Sequence, residues 1–505
     1  MVKIRVRKGG EMKVGFDNDK YLKMQSAHIR ERIEKFDNKL YLEFGGKLFD
    51  DYHASRVLPG FKPDSKLQML LQLKDQAEIV IVVNAEDIES GKVRGDYGIT
   101  YDLDTLRLID EFTGVGLYVG SVCLTKYAGQ PQAEIFEKRL SDLGIKSFRH
   151  YRIPGYPNDV AKIVSDEGFG KNDYIKTERP LVIITAPGPG SGKMATCLSQ
   201  LYHEYKRGIK AGYAKFETFP IWNIPLKHPV NLAYEAATAD LNDLNMIDPF
   251  HLEAYGETTV NYNRDVEIFP VLKRTFELIS GESMYKSPTD MGVNMAGNCI
   301  VDDGVCCEAS RQEIIRRYYN ALCDKRIKGE TKHDIYKLEL LMNQSGALPE
   351  DRKTIKAALD REQETGHPAV AIELEDGRMI TGKTGELLGS ASAALLNAIK
   401  ALAGIEKDVM LVSADSITPI QTLKTEYLGG NNPRLHTDEI LIALSASAAT
   451  DKLAAEALKQ LPKLKGCEAH SSVILSSVDS NILRKLGIQL TCEPKYEEAD
   501  RLYHH

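Results

Sequence analysis

Runs of apolar residues alternate with amphipathic segments through the first third of the 505-residue chain. The runs KLYLEF, EIVIVV, VGLYVGSVCL and SFRHYRI are short and rich in branched or aromatic residues, so they predict strands buried on both faces. The intervening segments 102–112 and 132–143 carry apolar residues at helical spacing. This alternation predicts an α/β fold with mostly parallel sheets in a three-layer arrangement.

The same pattern returns later in the chain. The middle third contains a strand-like run, AGYAKFETF, and helical patterns near 230–239 and 266–280. Ser310 and Glu313 have the spacing of a capping box, which predicts a helix from Ser310 towards Arg326. In the last third, AVAIEL, RMIT, VMLVS, SSVILSS and GIQLTCE predict strands around an alanine-rich helix at 386–403.

Two polar stretches rich in turn residues, near 174–180 and 345–354, predict boundaries between these regions. We therefore expect an N-terminal α/β portion at 1–178 and a P-loop-like α/β portion at 179–345 packed with the first. A separate, smaller C-terminal α/β domain is expected at 346–505.

Composition excludes several classes of protein. The net charge of −7 comes from 65 basic and 72 acidic residues without any basic arm, so nucleic acid is not an expected partner. No apolar run approaches the roughly 18 residues that span a bilayer, and the start of the chain lacks the apolar region of a secretory signal. Eight cysteines without a C-x-x-C pair predict neither a disulfide framework nor a zinc site. These features predict a cytoplasmic protein.

The segment PLVIITAPGPGSGKMATCLSQLYHEYKRG, at 180–208, joins a predicted strand to a predicted helix through a glycine-rich turn. A phosphate-binding loop needs these three parts, because its backbone amides and the positive helix N-terminus converge on the anion. Gly188, Gly190 and Gly192 allow close approach of a phosphate, and Lys193 adds a charge next to Ser191. The segment therefore predicts a nucleotide or phosphate site, with a plain strand-to-helix turn as the alternative.

The match to the P-loop pattern G-x-x-x-x-G-K-[ST] departs in two places. Pro187 stands where the pattern has its first glycine, and Met194 replaces the hydroxyl residue that ligates Mg²⁺. Thr196 carries the nearest hydroxyl on the helix side, and it joins Gly188, Gly190, Ser191, Gly192 and Lys193 as a candidate for cofactor binding. If a metal is used, its ligands must come from elsewhere, and we take Glu217 and Asp240 as candidates.

Candidate catalytic residues follow the glycine-rich segment. Asp290 and Asn294 lie in an irregular stretch, YKSPTDMGVNMAGNCIVDDGVCCEAS, of the kind in which functional sites are often found. His228 directly precedes Pro229 and a predicted helix. It is a candidate general acid or base, with a surface or capping histidine as the equal alternative.

The same irregular stretch holds Asp302 and Asp303 beside the thiols of Cys306 and Cys307. The two carboxylates are candidates for binding a metal or a cationic substrate. The alternative is a pair of solvent-facing acids before a helix. For the thiols we favour a buried structural role over that of a nucleophile.

Two further Gly-Lys pairs follow predicted strands. EFGGKLFDDYHASR contains Gly46-Lys47, and MITGKTGELLGS contains Gly382-Lys383 at the expected start of a helix. The second has the Gly-Lys-Thr order but lacks the upstream glycine of a P-loop. Because each is a single short match, we favour a turn with a solvated lysine at both.

Five long blocks resemble one bacterial family: LEFGGKLFDDYHASRVLPGF, APGPGSGKMATCLSQLYHEY, YAKFETFPIWNIPLKHPVNLAYEAATADL, SPTDMGVNMAG and ITGKTGELLGSASAALLNAIKALAGI. The family is catalogued as domain of unknown function 1846, and the resemblance covers nearly the whole chain. It implies a large N-terminal part and a smaller C-terminal part. Some relatives carry the label ATP-dependent peptidase, but the chain contains neither H-E-x-x-H nor G-x-S-x-G, so its motifs do not support a peptidase.

The leading hypothesis is an enzyme that binds a nucleotide, ATP with Mg²⁺, and acts on a small metabolite by phosphoryl-transfer or ligase-type chemistry. One alternative is an enzyme of another class that binds a phosphorylated or anionic substrate without ATP. Another is a non-catalytic protein that binds a phosphometabolite. The expected partner is a small phosphate-bearing ligand, neither nucleic acid nor membrane, and the choice between a monomer and a homo-oligomer stays open.

Overall fold

The computed structural model describes residues 14–46, 48–49, 51–94, 98–241, 243–329 and 334–497. The chain divides into two compact units. The first contains residues 14–235 and 242–309, and the second contains residues 236–241 and those from 310 onward. Lys47 and Asp50, which belong to the first of the two further Gly-Lys segments, lie outside the described residues.

The first unit is built on a seven-stranded sheet. Its strands in chain order are β1 (Leu40–Phe44), β2 (Ala77–Asn84), β3 (Tyr118–Tyr127), β4 (Lys146–Tyr151), β5 (Leu181–Thr185), β6 (Gly212–Phe216) and β7 (Gly292–Val293). They lie in the order β7-β6-β1-β5-β2-β3-β4, and every neighbouring pair is parallel. Every residue of β2 and β5 is buried, so both faces of the central sheet are covered, as parallel sheets require. The predicted fold class is confirmed.

Helices connect the strands of this unit, and Asn18–Lys35, Tyr101–Gly114, Pro131–Asp142 and Lys193–Lys206 pack a buried face against the sheet. The helices of the unit are Asn18–Lys35, Tyr52–Val57, Ser65–Gln72, Ala85–Glu89, Tyr101–Gly114, Pro131–Asp142, Val160–Ile163, Lys193–Lys206, Pro229–Ala237, Pro249–Tyr255, Asn263–Ser280, Pro288–Met291 and the start of Asp303–Lys328. Two short antiparallel pairs, Val93–Arg94 with Ile99–Thr100 and Asn245–Ile247 with Val260–Tyr262, lie outside the main sheet.

The order of the strands creates a topological switch point at the centre of the sheet. After β2 the chain continues to β3 on one side, whereas after β5 it continues to β6 on the other side. Because β5 and β2 are neighbours, the segments that follow them diverge and leave a crevice at their carboxyl ends. In open parallel sheets, ligands bind in such crevices.

The second unit contains a smaller mixed sheet. Its strands are β8 (Ala369–Glu373), β9 (Met379–Lys383), β10 (Glu468–Ser471) and β11 (Gln489–Cys492), in the order β9-β8-β10-β11. Only β10 and β11 run parallel. Its helices are Ile335–Ser345, Lys353–Thr365, Ser390–Ala403, Ala414–Thr422, Thr437–Ser447, Lys452–Leu458, Ser477–Lys485 and the remainder of Asp303–Lys328.

Three local predictions were wrong. The helix predicted from Ser310 begins at Asp303, since the Asp302 side chain accepts the Val305 amide at 3.1 Å and caps it seven residues earlier. Glu313 instead accepts from Arg317 one turn later, at 2.8 Å. VMLVS is an irregular segment whose Leu411 and Val412 pack in the core without strand partners, so burial alone explains its apolar character.

The strand predicted at SSVILSS lies earlier, at Glu468–Ser471, and only its first serine belongs to the strand. The helix predicted at 386–403 begins at Ser390. In the part of the chain that the structure describes, no helix combines the length and the apolar character needed to cross a membrane.

Candidate functional site

The glycine-rich segment forms a loop between β5 and the helix Lys193–Lys206. Gly192 is the residue before the helix and has a left-handed backbone, with φ of +91°, which glycine adopts without strain. Gly188 is needed for space, because a Cβ at this position would overlap the hydroxyl of Tyr101. Gly190 also has a positive φ, of +73°, and is exposed.

Hydrogen bonds fix the shape of this loop. The Thr125 hydroxyl, at the end of β3, donates to the Ser191 carbonyl at 2.6 Å. The Ser191 hydroxyl donates to the Gly188 carbonyl at 2.6 Å, within the loop itself. Ser191, predicted to bind the cofactor, therefore uses its hydroxyl to brace the loop.

The amides of the loop are open. The backbone N–H groups of residues 190–195 donate to no described residue. Lys193 is half-buried at the first position of the helix and forms no ion pair with any residue in the described ranges. Consecutive free amides, a helix N-terminus and an unpaired cation together favour an anion at this point.

A second helix begins beside the same loop. Tyr101, whose hydroxyl lies against Gly188, is the first residue of the helix Tyr101–Gly114. Lys92 lies 5.1 Å above its ring and pairs with Asp87 at 3.2 Å. Asp87 balances the charge of Lys92, and Asp102 and Asp104 lie in the first turn of the second helix. The positive potential at the loop is therefore expected from its own amides and Lys193.

Thr196 lies on the buried side of its helix. Its side chain is completely buried near Cys123 of β3, and burial raises the pKa of that thiol far above its ordinary value while the Thr196 hydroxyl lowers it. This location favours a packing role for Thr196 over contact with a ligand at the loop.

Glu217, a candidate metal ligand, follows directly after β6. One of its carboxylate oxygens, Oε1, lies 2.8 Å from the Lys215 ammonium, which also binds Asp265. Burial raises the pKa of Glu217 to about 7, against the opposing effect of Lys215 and with the help of Asp265. Burial by itself would lower the pKa of Lys215, but Asp265 and Glu217 raise it overall. One oxygen of the carboxylate is thus engaged in an ion pair.

Asp240, the second candidate metal ligand, lies in the 3₁₀ turn Ala239–Leu241. It is exposed and belongs to the second unit, whereas Glu217 belongs to the first. A metal role for this pair stays a prediction.

His228 lies at the end of the irregular segment before the helix Pro229–Ala237. Its Nδ1 accepts the Val230 amide at 3.2 Å, and its carbonyl accepts the Leu232 amide, so it caps this helix. Its Nε2 lies 2.9 Å from Asp303 and 3.5 Å from the Cys307 sulfur. The fold thus brings together three candidates that are separated by up to 79 positions in the sequence.

The ligand atoms of His228, Asp303 and Cys307 lie within 4.8 Å of one another, a spacing that a metal ion can bridge. The tautomer of His228 argues against metal binding at this cluster. Because Nδ1 accepts an amide proton, the neutral ring carries its own proton on Nε2, which then donates to Asp303. The same proton prevents Nε2 from deprotonating Cys307. The geometry favours the capping alternative for His228.

The two other candidate catalytic residues both serve the local structure. The Asn294 amide donates to the carbonyls of Thr218 and Pro220, at 3.2 and 2.9 Å, and so connects β7 to the loop after β6. Asp290 accepts from the Tyr255 hydroxyl at 2.8 Å and from the Lys286 amide at 2.9 Å. A catalytic role for either residue stays a prediction.

Two family models together match most of the chain. The model described as "Domain of unknown function DUF1846, N-terminal" covers residues 14–346, and "Domain of unknown function DUF1846, C-terminal" covers residues 350–503. The chain belongs to the DUF1846 family. It is similar to proteins named "UPF0371 protein" from Streptococcus sanguinis (strain SK36) and Streptococcus pneumoniae (strain CGSP14). Each is 58% identical over 491 residues, which cover 97% of this chain and 99% of the relative.

The DUF1846 N-terminal model includes the whole seven-stranded sheet and the loop at 186–192. Within this part, sequence reasoning did not find Tyr101 or Asp265. A usable signal was the sequence of β6, where Lys215 interrupts a strand that is otherwise buried. A charged residue on a buried parallel strand requires a partner, here Asp265, which lies 50 residues further along the chain.

Proposed function

We propose that the protein binds a phosphate-bearing small molecule at the loop 186–192 and acts on it as an enzyme of the phosphoryl-transfer or ligase type. The observation that supports this is the run of open amides at 190–195 beside the unpaired Lys193. Its position at the switch point between β5 and β2 adds to this support, since ligands of parallel sheets bind at such points.

ATP with Mg²⁺ is the first ligand to test. The triphosphate supplies the anion, and the chemistry of phosphoryl transfer depends mainly on positioning and charge stabilisation, which amides and a lysine provide. Glu217 shares its Oε1 with Lys215, so it has only its second oxygen, Oε2, to offer to a metal ion.

Isothermal titration calorimetry of the full chain with inorganic phosphate, a sugar phosphate and ATP with and without Mg²⁺ tests the binding. Lys193→Ala should weaken each interaction by about 1.5–3 kcal/mol, the net value of a hydrogen bond to a charged group. Lys353→Ala, the control, removes the lysine side chain at the first position of another helix, Lys353–Thr365, and should not change the binding of any of these ligands. Equal binding by wild type and Lys193→Ala, or no binding at all, would overturn the proposal. Turnover of ATP with a metabolite then separates an enzyme from a binding protein.

A further inference from the structure

The carboxylate of Glu217 has one engaged and one open oxygen. Its side chain is 6% exposed, and Oε1 is held by Lys215 at 2.8 Å. Among the residues that the structure describes, Oε2 has no hydrogen-bond partner. A nearly buried carboxylate oxygen without a partner carries a desolvation cost, which a ligand that donates a hydrogen bond would remove.

Gly292 and the ring of Trp222 lie beside Oε2. Gly292, the first residue of β7, has a φ of −81°, a value open to any residue, so its backbone does not require glycine. A Cβ at Gly292 would lie 3.3 Å from Oε2 and would overlap the ring of Trp222. The absence of a side chain at 292 therefore makes room for the indole ring beside the carboxylate.

The register of the strands relates Oε2 to the loop 186–192. Glu43 pairs with Ile184 of β5, and Phe44 pairs with Phe216 of β6, so all three strands end at one level. Glu217 is the residue after β6, and two strand spacings, about 10 Å, separate it from the loop after β5. β1, which lies between them, ends at Phe44 and is followed by Gly45 and Gly46, and the Lys66 ammonium lies 3.0 Å from the position that a Cβ of Gly46 would take.

We propose that the phosphate-bearing ligand is a phosphate ester of a sugar, free or as part of a nucleotide, and that Glu217 Oε2 accepts a hydrogen bond from one of its hydroxyl groups. This inference rests on the proposed phosphate site. The phosphate lies at residues 190–195, and the hydroxyl-bearing part extends over the glycines after β1 to Glu217. The Lys215–Asp265 pair holds the carboxylate in position without covering Oε2.

Binding of three probes to the full chain tests this assignment: inorganic phosphate, ribose 5-phosphate and AMP. Glu217→Gln keeps the shape of the side chain and should weaken both esters about tenfold while phosphate binds as before. Glu253→Gln is the matched control, because it makes the same substitution at an exposed glutamate of the helix Pro249–Tyr255, and it should change neither ester relative to phosphate. If AMP binds and ribose 5-phosphate does not, the ligand is a nucleotide. If both esters bind, a free sugar phosphate is sufficient.

A second variant guards against misfolding of the first. Glu217→Asp keeps the charge but shortens the side chain by one methylene group, and it should reduce ester binding selectively, provided that circular dichroism shows an unchanged fold. Equal loss of phosphate and ester binding in Glu217→Gln, or no loss in either, overturns the role of Glu217. Wild-type protein that binds the esters no better than phosphate also overturns it. Failure of Lys193→Ala to weaken phosphate is a separate result, because it contradicts the phosphate site itself.

Discussion

Two Gly-Lys pairs that look alike in the sequence occupy different physical situations. Gly192 precedes a helix in a left-handed conformation, and Lys193 has no partner among the described residues. Gly382 lies within the antiparallel strand β9, and Lys383 is the last residue of that strand, seven residues before the next helix. A Cβ at Gly382 would overlap the backbone of Ala394, so this glycine allows close packing of sheet and helix.

The helix N-termini of the two units differ in the same way. Amides at the start of Lys193–Lys206 are open, whereas the start of Thr437–Ser447 is closed by side chains. The Glu439 carboxylate accepts the His436 amide at 2.7 Å, and Asp479 accepts the Thr437 amide at 2.8 Å. A dipeptide therefore does not define an anion site. What matters is whether the protein itself satisfies the amides and the charge.

The largest effect is expected at the packed glycine. Gly382→Ala should lower the free energy of unfolding by about 3 kcal/mol or more, because backbone rather than a movable side chain opposes the added methyl group. Urea unfolding measures this change. Gly385→Ala, three residues later, meets open space and should unfold like wild type. Similar stability of both variants would contradict the packing role of Gly382.

Gly192→Ala should lower the free energy of unfolding by less than Gly382→Ala does, about 1–2 kcal/mol, because an alanine is strained at a φ of +91°. The new methyl group would also press on Thr125 at 3.2 Å and so disturb the loop. Calorimetric loss of phosphate binding together with a modest loss of stability is the expected result. Gly114→Ala, at a helix end in open space, is the control and should be neutral in both measurements. A variant of Gly192 that binds phosphate normally would show that the shape of the loop is unimportant.

A smaller, pH-dependent effect is expected at the closed helix start. The hydrogen bond from His436 Nδ1 to Asp479, at 2.9 Å, raises the pKa of His436 although burial opposes this. Burial would raise the pKa of Asp479, but His436 and the Thr437 amide lower it overall. The histidine's contribution is complete below its ordinary pKa of about 6.5 and is lost as the pH rises through its higher folded-state pKa. The contribution of Asp479 to stability is present above its ordinary pKa of about 3.8 and is lost as the pH falls through its lower folded-state pKa.

The unfolding midpoint of wild type should therefore exceed that of His436→Gln most at pH 5.5, and the difference should shrink as the pH rises to 8.5. Replacement of the exposed His367 by Gln should leave the midpoint unchanged across this range. A difference between wild type and His436→Gln that does not depend on pH would contradict the role of this histidine.

The smallest effect on stability is expected for Lys193→Ala. Because Lys193 has no ion pair with a described residue, its removal should change the free energy of unfolding by no more than about 0.5 kcal/mol. Thermal or urea unfolding provides the value. A larger destabilisation would indicate that the lysine supports the fold, and a loss of ligand binding would then lose its simple interpretation.

Local sequence predicted much of the first unit. The apolar runs gave the central strands within a few residues, because full burial demands continuous branched side chains. The glycine-rich loop was also visible, since few other sequences permit such backbone angles. Local reasoning failed where a competing signal was nearby: Asp302 capped the helix before the capping box at Ser310, and VMLVS was buried without joining a sheet.

The sequence by itself thus determined the class of fold, the strand before the loop and the glycines that shape it, because these depend on neighbours along the chain. Tertiary structure decided which strands are adjacent and so placed β5, formed from residues 181–185, between β1 and β2. It also decided that Lys215 pairs with Asp265. In the same way, it decided that the two ring nitrogens of His228 contact the amide of Val230 and the carboxylate of Asp303. The two carboxylates lie 50 and 75 residues from the side chains they contact, and no local pattern encodes such contacts, since they arise only when the chain packs.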